Sequence, residues 1–116
     1  MRVITALLAL LLAIPVFAEV QAQDKQVYIV HGYGASSDSH WFPWLKQRLQ
    51  SQGVKVSVLD MPNSVYPQPD QWQQTLEQQV KRADGNTWFV THSLGSIAVL
   101  RYLADRKDLS TIGGVV

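Results

Sequence analysis

At 116 residues the chain has material for one small domain and no more. Ten basic and nine acidic residues leave a formal charge of +1, scattered with no basic run longer than the pairs Lys81-Arg82 and Arg106-Lys107, which argues against a nucleic-acid surface. Cysteine is absent, which rules out any disulfide and any lipid attached through a thiol, and fits an oxidising compartment without requiring one.

Met1 and Arg2 give a short positive start to "VITALLALLLAIPVFA", which is apolar apart from Thr5 and interrupted near its end by Pro15. Small residues at Ala18 and Ala22 suit a signal peptidase, so residues 1–22 are predicted to be a secretory signal peptide cut near Ala22 or Ala18. The alternative is an uncleaved membrane anchor, but the run is shorter than the roughly 20 residues that span a bilayer. Removing Arg2 and Glu19 would leave nine basic and eight acidic residues. The expectation is a near-neutral mature chain, secreted or periplasmic, with no stable membrane anchor.

After the leader, strands and helices alternate. "QVYIV" (26–30) reads as a buried strand ending at His31-Gly32. In "WFPWLKQRLQSQ", Trp41, Trp44, Leu45, Arg48 and Leu49 recur at helical spacing, with Pro43 tolerable in the first turn and Gly53 suited to the end. "VKVSVLD" (54–60) alternates as a second strand, and the proline-rich "MPNSVYPQPD" is a loop. "QWQQTLEQQVKR" is predicted helical, with Asp70 as N-cap and Trp72, Leu76 and Val80 on one face. "TWFV" is a third strand, "GSIAVLRYLADR" a third helix, and "IGGVV" opens a fourth strand. This order predicts an α/β fold, a three-layer parallel sheet covered by helices on both faces. The polar residues His31, Asp60, His92 and Ser93 fall at the carboxyl ends of its strands, where chemistry gathers in such sheets.

A serine that performs acyl transfer needs a rigid strand–turn–helix bend and nearby backbone N–H groups, an arrangement with the signature G-x-S-x-G. Thr91-His92-Ser93-Leu94-Gly95 matches it except at the first position, and stands between a predicted strand and an apolar helix. The plainer reading is that Ser93 only caps the following helix. The His-Gly pair after the first strand supports the nucleophile reading, since the loop at that place supplies the second oxyanion donor in α/β-hydrolases. The two donors are then expected to be the backbone N–H groups of Tyr33 and Leu94. Trp41, Phe42, Trp44 and Trp72 either pack the core and helix interfaces or line an acyl pocket.

"VYIVHGYGASSDSHWFPWLKQRL", "MPN" at 61–63, Trp72 and "THSLGSIAVLRYL" occur in the order found in one group of small α/β-hydrolases. Over Gln26 to Val116 the chain resembles the retinoblastoma-binding-protein-9-like serine hydrolases. The resemblance implies a sheet of the α/β-hydrolase type, a Ser-Asp-His triad and hydrolysis of a carboxylic ester or amide. It implies Ser93 as nucleophile and a small-molecule acyl substrate; no cofactor is expected, and no metal, since His31, His40 and His92 lack the spacing of zinc ligands. Thr91 departs from the family's usual glycine.

In such triads the acid and then the histidine follow the serine along the chain. After Ser93 come only Asp105 and Asp108, and no histidine. His92 leaves the turn in another direction than its neighbour Ser93, the His-Gly histidine His31 shapes its loop in this family, and His40 sits near a helix start. The chain is therefore expected to be the N-terminal portion of a hydrolase, lacking the triad Asp and His and inactive alone. Two rival readings stand beside it. One is a non-catalytic secreted binding protein on a hydrolase scaffold. The other is a Rossmann-like nucleotide site using Gly32, Gly34 and Asp60.

Overall fold

The computed structural model describes residues 24–106 and 111–116; the predicted signal peptide lies outside them. "QVYIV" forms β1 (Gln26–Val30), in which Val27 to Val30 are all buried, as a central strand of branched and aromatic residues should be. It lies between β2 (Lys55–Leu59) and β3 (Thr87–Thr91), with β4 (Gly114–Val115) beyond β3, so the strand order is β2-β1-β3-β4. All pairings are parallel, and Val30 stands opposite both Leu59 and Thr91. Each crossover carries a helix: α1 (Phe42–Ser51), α2 (Pro69–Gln79) and α3 (Leu94–Asp105). The three-layer parallel α/β architecture read from the sequence is the one observed.

Strand periodicity sorts the two cores. Val27 and Ile29 face the side of α1, where they pack with Phe42, Leu45, Leu49, Trp88 and Val90. Tyr28 and Val30 face the other side with Phe89, against Trp72 and Leu76 of α2 and Val99 and Tyr102 of α3. Burying each of these large side chains contributes about 1.5–3 kcal/mol, so both layers hold the sheet flat against its helices.

Two local expectations are corrected. In α1 the buried residue is Phe42, with Leu45 and Leu49 half-buried, whereas Trp41 and Trp44 are exposed. The helix offers two overlapping apolar stripes, and the one led by Phe42 meets the sheet. Trp44 instead lies under the Arg48 guanidinium, 5.9 Å from its ring centre. Pro43 does occupy the first turn, and Gly53 follows the helix with φ 85°. In α2 the N-cap position belongs to Gln68 rather than Asp70, because Pro69 suits the first helical position, where its missing N–H costs nothing. Asp70 sits in the first turn, its carboxylate 3.4 Å from the Arg101 guanidinium. The predicted face of Trp72, Leu76 and Val80 is buried.

From β1 the chain passes to β2 on one side, and it returns on the other side at β3. The crevice between the carboxyl ends of β1 and β3 is therefore the switch point of the sheet, where ligands bind in open α/β folds. No helix among the described residues is long and apolar enough to cross a membrane.

Candidate active site

Immediately past β1, His31 is fully buried and both ring nitrogens are committed. The Met61 N–H donates to Nε2 at 2.9 Å, so the ring proton is on Nδ1, which donates to the Gly32 carbonyl at 2.9 Å. The ring stands edge-on to Trp72 at 5.8 Å, and Trp72 Nε1 donates to the Pro62 carbonyl at 2.7 Å. The His-Gly, Met-Pro-Asn and tryptophan motifs are thus one network, tying the loop after β1 to the loop after β2. Asp60 tightens it by accepting the Ser37 N–H at 2.7 Å and the Ser37 hydroxyl at 2.9 Å, and the Gly34 N–H donates to the Ser64 carbonyl at 2.8 Å. His31 has no nitrogen left to act as a base.

Across the crevice, β3 runs into α3 through a bend at Ser93, which has φ 56° and ψ −126°. Residues with a side chain avoid this region, at a cost of order 1–3 kcal/mol, so the surroundings must hold it. Two glycines show how. A Cβ on Gly95 would lie 2.5 Å from the carbonyl oxygens of Val30 and His31, so the start of α3 rests directly on the end of β1. A Cβ on Gly32 would lie 2.7 Å from Ser93 Cβ and from the His92 carbonyl oxygen, and 3.0 Å from the Leu94 nitrogen. Only the backbone of Gly32 fits against the bend. The His92 N–H, donating to the Val30 carbonyl at 3.1 Å, fixes the register.

Ser93 holds the N-cap position of α3, yet its side chain caps no helix amide. The residue is exposed, and its hydroxyl has no partner among the described residues. The capping reading therefore describes its place but not its side chain. The N–H groups of Leu94, at the first helical position, and of Tyr33, next to Gly32, also meet no acceptor among the described residues. Thr91 fits at the first position of the pentapeptide. Its hydroxyl donates to the Val116 carbonyl at 3.0 Å and accepts from the Ser96 hydroxyl at 2.8 Å, joining β3, β4 and α3.

The other histidines turn elsewhere. The His92 ring points toward the start of α1, 5.0 Å from His40, 6.0 Å from Phe42 and 6.1 Å from Trp41 between ring centres. Neither His92 nor His40 hydrogen-bonds Ser93. The nucleotide alternative fails on two observations. The helix that follows the glycine loop begins at Phe42, well beyond Gly34, so that loop does not open its own helix as the fingerprint requires, and the Asp60 carboxylate is engaged by Ser37.

Beside the bend lies a cavity of about 310 Å³ between the first turns of α2 and α3, lined among others by Pro67, Pro69, Trp72, Leu94, Ile97 and Ala98. The sequence reading missed it. Its signal was the stripe Leu94, Ile97, Ala98 and Arg101, spaced at three, four and seven residues along one helix face. Of the four aromatic candidates, Trp72 lines this cavity while also belonging to the core.

Comparison with known proteins agrees with this geometry. The chain is 47% identical over 92 residues to YdeN of Bacillus subtilis (strain 168), a protein whose name assigns it to the hydrolases, covering 79% of this chain and 48% of YdeN. The crystal structure of the ydeN gene product from B. subtilis superimposes with a TM-score of 0.74 at 48% identity, over 78% of this chain and 49% of that one. The chain therefore spans about half the length of these relatives. The sequence profile of the serine hydrolases matches residues 27–116. On that match, which takes in β1, the Ser93 bend and β4, the chain belongs to the serine hydrolase family.

Proposed function

We propose that the whole protein hydrolyses carboxylic esters or amides with Ser93 as its nucleophile, in the manner of the retinoblastoma-binding-protein-9-like hydrolases. The observation that carries this reading is the strained bend at Ser93, with an uncommitted, exposed hydroxyl one residue from an unpartnered helix-start amide. Ser93 Oγ attacks the acyl carbon while a base takes its proton. The carbonyl oxygen gains the charge, and the N–H groups of Leu94 and Tyr33 stabilise it, each such donor being worth about 3 kcal/mol in the transition state. Collapse expels the alcohol or amine, and water releases the acid from the acyl-enzyme. None of the described histidines hydrogen-bonds Ser93, so in our reading the base and its orienting acid come from outside these residues. The chain by itself then lacks general-base assistance, a loss on the order of a million-fold in rate.

The test is a fluorophosphonate label together with turnover of p-nitrophenyl butanoate. The expected result is labelling of the whole protein at Ser93, abolished in Ser93→Ala, while the 116-residue chain alone labels far more slowly and turns the ester over close to the uncatalysed rate. Labelling that persists in Ser93→Ala would remove the nucleophile assignment. Substantial Ser93-dependent turnover would instead show that the chain carries a base of its own.

A further inference from the structure

We infer that the cavity between α2 and α3 is the acyl-chain subsite, and that it takes an aliphatic acyl group. The inference rests on Ser93 being the nucleophile, and it adds the substrate class. Position is the first reason. Leu94 provides both the helix-start N–H beside Ser93 and part of the cavity wall, so an acyl group bound to Ser93 has the cavity one residue away. The remaining wall comes from the first turns of α2 and α3, which begin at the carboxyl edge of the sheet, where Ser93 stands.

Chemistry is the second reason. Several polar groups of the lining residues are already used. Trp72 Nε1 donates to the Pro62 carbonyl, Gln73 Nε2 donates to the Ala98 carbonyl at 3.0 Å, and the Arg101 guanidinium pairs with Asp70. Apart from Gln73 Oε1 and part of the Arg101 guanidinium, what remains is carbon from two prolines, an indole face, Leu94, Ile97 and Ala98. A polar acyl chain would lose its water there without replacement, which disfavours it. The Gln73–Ala98 bond also ties α2 to α3 directly, so the cavity is formed before anything binds. Its volume of about 310 Å³ falls at the small end of ligand pockets.

Binding is tested apart from catalysis, in the Ser93→Ala chain, with methyl butanoate, methyl hexanoate and methyl octanoate as probes. Methyl NMR signals of Leu94, Ile97 and Ala98 should shift on titration. Affinity should rise about fourfold per added methylene, the factor that corresponds to burying one. Ile97→Trp, at a residue 65% exposed and so tolerant of substitution, should block the cavity and remove the octanoate shifts while the fold persists. Three results would overturn the inference: no shifts, affinity independent of chain length, or shifts confined to Leu49 and Val90 on the opposite face. Because Ser93 is absent from this experiment, its outcome is independent of whether Ser93 is a nucleophile. Labelling that persists in Ser93→Ala would sink that assignment and leave the binding result standing.

Discussion

His31 illustrates how a residue type tied to catalysis serves a structural end here. Its Nε2 is the acceptor for the buried Met61 N–H, and its Nδ1 proton goes to the Gly32 carbonyl. Replacing it with leucine keeps apolar bulk but strands the Met61 amide, a loss of about 1–3 kcal/mol for an unsatisfied buried donor. His31→Leu should therefore lower the urea midpoint, and His31→Gln, which still offers an acceptor, should recover part of the difference. Equal stability for wild type and His31→Leu would show that the Met61 amide finds another partner. Ser93 and Gly95 were legible from the pentapeptide because the chemistry of a strained bend restricts residue choice so tightly. His31 was legible as a shaper of its loop only through family resemblance, since its hydrogen-bond partner lies thirty residues away.

At the scale of elements, the connection from α2 to β3 adds an ion pair to the apolar packing of Val80 and Ala83. Arg82 Nε donates to Asp84 Oδ2, and the Asn86 N–H donates to Asp84 Oδ1 at 2.9 Å. The bond from Arg82 first, then that from Asn86, holds the Asp84 carboxyl below its ordinary range. A carboxylate whose folded value is lowered adds stability above its unfolded value and loses it as the pH falls through the folded one. Asp84→Asn should therefore be less stable than wild type at pH 7, with the gap closing below about pH 4, where Asp protonates. Urea unfolding at pH 7 and pH 3 reads this directly, and a gap of the same size at both values would contradict it. Sequence spacing located every strand and helix to within a few residues. It misjudged which stripe of α1 meets the sheet because Trp41–Trp44–Arg48 and Phe42–Leu45–Leu49 have the same helical period.

For the whole molecule, the two sheet edges differ in protection. The outer strand β2 begins with exposed Lys55, a charge that discourages further pairing. At the other end β4 presents Val115 and Val116, the latter 73% exposed, with no strand beyond them among the described residues. The 116-residue chain is expected to self-associate with rising concentration through this edge, and Val116→Lys to reduce it. Sedimentation velocity across a concentration series measures both effects, and a monomer at all concentrations would refute the expectation.

Local sequence determined the alternation of strands and helices, the two glycines that let the bend form, and the serine placed on it. These depend on side-chain period and on steric restrictions that act over a few residues. Tertiary structure alone decided that His31, Met61, Pro62 and Trp72 join in one network, that the Ser93 hydroxyl caps nothing, and that α2 and α3 leave an apolar cavity beside it. Those features arise from contacts between segments distant along the chain. No local period encodes them, because hydrogen bonds and packing across the crevice depend on how the crossovers set the helices onto the sheet.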